Sequence, residues 1–135
     1  MPGFLTDYAN NQVLDCLFGG RPLASPAELH VGLSLCRAFK GGYVVEPPGL
    51  GYARVAVAND LVRFPLAALG RKSNAERITF PDPRGGWGTI ASVFLADAPR
   101  GGNVLAVADL PSPRAVNPGD PGPTIAVDAL SFRHS

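Results

Sequence analysis

ITFPDPRGGWGTIASVFLADAPRGGNVLAV, residues 78–107, is the stretch that decides the fold. With the preceding Arg77 it holds three strand-like runs, 77–80, 89–97 and 103–109, rich in Val, Ile, Leu and Phe and bounded by Gly/Pro clusters. Ala98-Pro99-Arg100-Gly101-Gly102 separates the last two as a tight turn. Within 89–97 the alternate sets Ile90/Ser92/Phe94/Ala96 and Thr89/Ala91/Val93/Leu95/Asp97 are both largely apolar. A strand of that kind is covered on both faces and is central to its sheet. Trp87, the only tryptophan, stands between Gly85-Gly86 and Gly88, where the backbone bends freely. It reads as the plug of one end of a core. The competing reading, a ring that stacks on a ligand, has no neighbouring aromatic to support it.

Working outward, residues 6–18 form the one good helix candidate. Thr6 caps it, Asp7 suits its positive N-terminal end and Gly19-Gly20 stop it. Leu5, Ala9, Val13, Cys16 and Leu17 recur at helical spacing, while Leu14 and Phe18 widen the apolar arc. Two readings of that arc stand level: deep burial against a sheet, or contact with another subunit. Residues 28–36 alternate with Leu29, Val31, Leu33 and Leu35 on one face and His30, Gly32, Ser34 and Cys36 on the other, which is a strand. Residues 37–51 read as a long loop, of a length that usually binds something or joins a partner. Residues 52–58 are a strand with Ala53, Val55 and Val57 inward and Tyr52, Arg54 and Ala56 outward. Residues 61–69 are ambiguous, and Pro65 argues against a central strand there. Pro111 and Pro113 bracket a connection, Asn117-Pro118-Gly119-Asp120 is a turn, and residues 124–132 close the chain as a strand with Ile125, Val127 and Ala129 on one face.

Seven to nine short strands after one helix predict a mainly β protein: an antiparallel β-sandwich, jelly-roll or immunoglobulin-like, with one N-terminal α-helix. The division expected is 1–20 as a helical unit packing on the β-domain or a partner subunit, and 21–135 as the sandwich. At 135 residues the chain suffices for a single core. A hydrophobic fraction of 46% excludes a disordered chain, and a net charge of +1 gives no nucleic-acid footprint. No run is long enough for a membrane span and no leader is visible, so a soluble protein assembled in a cytoplasm is expected.

Reactive chemistry is sparse. Cys16 and Cys36 lie in apolar patterns and read as buried free thiols, with a single bridge between them left open by sequence. The two histidines, His30 and His134, lack metal-ligand spacing, and His134 is too near the end of the sequence to serve a site. The carboxylates are scattered singly, no G-x-S-x-G elbow occurs, and the paired glycines lack the Lys-Ser/Thr of a phosphate loop. The expectation is no enzyme, no catalytic residue, no cofactor and no metal. Arg71, Lys72 and Arg77 read as a solvated edge, with contact to an acidic protein surface as the lesser reading.

The order of motifs carries a resemblance. LTDYANNQVLDCLFGG (5–20), LHVGLSL (29–35), GLGYARVAV (49–57), ITFP followed by WGTIASVFLADAPRGGNVLAV (87–107) and AVNPGD (115–120) are similar to small tailed-phage virion proteins. In that family a helix opening on LTDY precedes a β-domain, and members are described as tail-fibre or as capsid decoration and cement proteins. Residues 62–72 and the proline-rich 118–123 depart from the pattern. The resemblance implies a structural subunit that assembles by symmetric contacts, as a homotrimer, and meets the major capsid protein or other virion proteins, with no nucleic acid and no membrane. Leu14, Phe18, Tyr43, Pro47, Pro48, Arg71 and Lys72 are the candidate partner contacts. A capsid cement role is preferred on sequence grounds, since no shaft-like repeat is present. A tail-fibre, spike or baseplate component is the alternative, and a carbohydrate-binding module or small hydrolase of sandwich fold the alternative of another class, with Tyr43 and Tyr52 as its only aromatic candidates.

Overall fold

Nine strands and one helix make up the described residues, 1–133, of the computed structural model; His134 lies outside them. They are β1 (Pro2–Leu5), α1 (Asp7–Leu17), β2 (Glu28–Ser34), β3 (Val55–Ala58), β4 (Arg71–Ser73), β5 (Ile78–Thr79), β6 (Gly88–Ala96), β7 (Val104–Val116), β8 (Thr124–Ile125) and β9 (Ser131–Arg133). Seven of the strands form one curled sheet in the order β3-β2-β6-β7-β1-β9-β4, and β5 pairs with β8 as a separate ribbon. The protein is thus mainly β and sandwich-like, as expected. All pairs are antiparallel except β1–β9, which run parallel.

The alternation read in β6 is what builds the core. Register sets Leu33 opposite Val93 and Val31 opposite Leu95, with Ala108 and Ala106 on the far side of the same two β6 residues. This row is the inner face, and Phe64, Ile78, Phe80, Trp87, Ile125 and Leu130 close over it. Trp87 is fully buried and its indole nitrogen donates to the Leu50 carbonyl at 2.9 Å, so it is a core plug and not a ligand platform. The other face of β6 carries Phe94 and Ala96, which with Val107 form a second cluster. Gly32 sits opposite Phe94, and a Cβ there would overlap the Phe94 ring.

That second face is roofed by the long loop. Ala38 and Val44 pack on the Phe94 cluster. The Val45 amide donates to Ser34 Oγ at 2.9 Å, Ser92 Oγ donates to the Cys36 carbonyl at 2.6 Å, and the Ala38 amide donates to Asp109 Oδ1 at 2.7 Å. Much of the loop is therefore held down by its own sheet. His30, read as lying on an outward face, is buried.

Several boundaries differ from expectation. β1 was not read at all, yet it lies between β7 and β9, so a strand precedes the helix. β7 runs on through Pro111 and Pro113 to Val116. It does so because Ser92 pairs with Asp109 and Ile90 with Arg114, so that Ala91 faces the four residues Leu110, Pro111, Ser112 and Pro113 across a wide bulge. Prolines are tolerated where no ladder bond is owed. The single closing strand expected over 124–132 is two short ones, β8 and β9. Asp128 takes a left-handed φ of 61° between them, Val127 is exposed, and Asn74 holds the turn. Its Nδ2 donates to the Ala126 carbonyl at 3.0 Å and its Oδ1 accepts the Leu130 amide at 3.0 Å. Arg54, expected to point outward, has a side chain only 5% exposed.

Candidate interaction surface

Thr6 starts α1 as its sequence requires: its Oγ1 accepts the Ala9 amide at 3.3 Å and donates to the Val104 carbonyl at 2.6 Å, which ties the helix to β7. Beyond that anchor the helix buries little. Ala9 is its only buried residue, Val13 and Cys16 are half-buried, and Leu14, Leu17 and Phe18 face solvent. Leu17 is 68% exposed and Phe18 80%. Of the two readings of the wide apolar arc, deep burial within the chain does not occur. The last turn holds Asp15 and no basic residue, so the negative end of the helix dipole is uncompensated within it. Arg21 approaches Asp15 only to 3.8 Å, with both side chains exposed.

Where the sheet curls away from the ribbon, its inner face opens as an apolar mouth of about 310 Å³. Leu29, Leu95 and Leu105 lie in its wall, Phe64 and Phe132 flank it, and Arg71, Lys72 and Arg133 are its charged lining residues. Among the described residues no carboxylate lines it. An adjoining groove of about 750 Å³ shares Leu5, Leu29, Lys72 and Leu105 and runs on beneath α1 and Leu23. β4 is the last strand of the sheet, paired only to β9, and it delivers Arg71 and Lys72 to this opening.

A hairpin rises beside the mouth. The Ala68 amide donates to the Arg71 carbonyl and the Arg71 amide to the Ala68 carbonyl, each at 3.0 Å. The two residues between, Leu69 and Gly70, both have positive φ, 54° and 72°, the pattern of a type I′ turn. Gly suits such a position and a branched side chain resists it. Leu69 nevertheless stands there at 105% of full exposure, with Leu66 exposed three residues before it.

The sequence-derived contact residues therefore separate into groups. Leu14 and Phe18 come together at the helix end with Leu17, which the sequence placed on the buried face. Arg71 and Lys72 come together at the mouth. Tyr43 is exposed on the long loop, edge-on to Phe39 at 6.4 Å. Pro48 is exposed, but Pro47 is buried and offers a partner nothing. Leu66, Leu69 and Arg133 went unread. A Leu-Gly pair is a weak hairpin signal beside Asn-Gly, and Arg133 reaches the mouth only through the β4–β9 pairing.

One polar constellation converges, and it is internal. Arg54 Nε donates to Glu46 Oε1 at 2.7 Å, and its Nη1 donates to the carbonyls of Ala98 at 2.7 Å and Gly101 at 2.9 Å. Its guanidinium lies 5.0 Å from the Phe94 ring centroid. Tyr52 donates its hydroxyl to the same Glu46 oxygen at 2.8 Å and accepts the Leu33 amide at 3.1 Å, while its ring meets Trp87 edge-on at 5.4 Å. Burial pushes the Tyr52 phenol far above its ordinary value. These groups brace the loop and the turn after β6; a free sugar-stacking face on Tyr52 does not exist. Cys16 and Cys36 are free thiols and half-buried. Among the described residues no three of His, Cys, Asp and Glu gather as a metal site, and no helix is long and apolar enough to cross a membrane.

Residues 4–133 match the protein family described as Podophage GP4 fiber I protein gp80. The chain belongs to this family. The resemblance carried by LTDY, GLGYARV, the Trp87 region and VNPGD is thereby borne out over nearly the whole sequence. Membership makes the chain a phage virion structural protein. No curated protein sequence matches it.

Proposed function

We propose that this chain is a tail-fibre subunit that works by self-association as a homotrimer and by contact with other virion proteins. The single observation that carries the tail address is the match of residues 4–133 to a podophage fibre family. The surface supports assembly. A small β-domain with an exposed Leu14-Leu17-Phe18 helix end and an apolar mouth leaves hydrophobic surface that a neighbouring subunit removes from water. The role is structural and needs no cofactor, since the convergent side chains Tyr52, Glu46 and Arg54 are engaged with one another and with the backbone. Capsid cement, favoured on sequence grounds, stands as the alternative reading, and the fibre-family match supports the tail reading at least as well. Quantitative mass spectrometry of purified particles, paired with labelling of the chain in electron micrographs, tests the address. A small multiple of the tail's symmetry, located at the tail, is expected; hundreds of copies on the capsid shell overturn it.

A further inference from the structure

We propose that the C-terminal end of α1 in one copy, led by Phe18 and Leu17, seats in the apolar mouth rimmed by Arg71, Lys72 and Arg133 of the next copy. This rests on the reading of the chain as a self-associating subunit and says which two surfaces do the associating. The chemistry of the two surfaces is complementary in three respects. First, the helix end offers Leu17 and Phe18, the mouth an apolar lining of Leu29, Leu95, Leu105 and Phe132. Second, the sizes agree: a dry cavity of roughly 150 Å³ holds one benzene ring, so about 310 Å³ admits the Phe18 ring together with the Leu17 side chain. Third, the charges agree. The helix end presents its dipole's negative pole and Asp15, whereas three cations and, among the described residues, no carboxylate line the mouth. Asp97 lies in the adjoining groove, but its carboxylate is held by Asn103, at 2.8 Å to the amide and 3.1 Å to Nδ2.

The two surfaces differ, so the contact is heterologous, knob to socket. Such contacts propagate from copy to copy and end only when rotation closes a ring. A three-membered ring leaves no knob and no socket exposed.

The test uses the full-length chain and multi-angle light scattering. Two variants each spoil one side: Phe18→Asp removes the knob, and Ala67→Arg, at an exposed position lining the mouth, blocks the socket. Thermal melts by circular dichroism verify that both remain folded. Wild type is expected at three times the monomer mass. Each variant alone is expected as a monomer, its association weakened on the order of 30-fold or more, as for a central interface anchor. Mixed one to one, the variants retain one good knob and one good socket between them and are expected to form a 1:1 dimer. A trimer that survives both substitutions overturns the docking and leaves self-association intact. A monomeric wild type overturns self-association and the docking with it, and a small apolar molecule retained by that monomer in native mass spectrometry identifies the mouth as a ligand site instead. Neither result bears on where in the particle the chain resides.

Discussion

Tyr52 shows how one side chain ties the fold to solution conditions. Its hydroxyl joins Leu33 of β2 to Glu46 of the loop, and its ring rests on Trp87. Burial is the main cause of its raised pKa, with the Glu46 hydrogen bond and charge adding to it. The folded protein therefore keeps this proton at pH values where the unfolded chain, with a phenol near 10, has lost it. Stability from this group is complete below about pH 10 and falls as pH climbs above it, by up to about 1.4 kcal/mol per pH unit. Tyr52→Phe is expected to cost about 1–2 kcal/mol at neutral pH, through the unpartnered Leu33 amide and Glu46 oxygen. It is also expected to flatten the alkaline slope. Urea melts from pH 8 to 11 check both; parallel slopes for the two proteins contradict the assignment. Arg54 was misread at this same scale. Alternation put it on the face opposite Val55, and local sequence does not disclose that this face is covered or that its hydrogen-bond acceptors are Ala98 and Gly101.

At the scale of elements, what was legible depended on local pattern. β6 is apolar on both faces and was placed correctly as central. β2 was legible from its clean alternation, and α1 from a capping threonine and terminal glycines. β1, β4 and β9 are three or four residues long and carry no period of their own. They are strands because partners far along the chain complete their ladders. The three rim cations all sit on these short pieces, so Arg71 and Lys72 were named without the cavity they border and Arg133 was not named at all. The hairpin at 68–71 adds a prediction. Leu69 in a left-handed conformation is strained by on the order of 1 kcal/mol, and Asn tolerates that conformation in a two-residue turn. Leu69→Asn is therefore expected to raise thermal stability, by about 0.5–1 kcal/mol in ΔG. A loss of stability on differential scanning calorimetry would show instead that the leucine gains more from its contacts than its backbone loses.

For the whole molecule, the helix and the sheet are not separable pieces. The first five residues place β1 between β7 and β9, and Thr6 then fastens α1 to β7. Removing residues 1–19 takes away an interior strand as well as the helix. The expected product is insoluble or unfolded, by contrast with Phe18→Asp, which alters an exposed side chain and spares the fold. Proton NMR of the truncated chain decides: dispersed amide signals would mean that the remaining strands close without β1.

The placing of β1 has a consequence for biosynthesis. Gly3 lies in register with both Ala108 and Phe132, and the Ser131 amide donates to the Met1 carbonyl. During synthesis β1 thus waits for neighbours that are translated about a hundred codons later. Contacts so distant along the chain form slowly and only after translation has passed them. Copies that stop short of β7 and β9 leave β1 without either of its sheet neighbours.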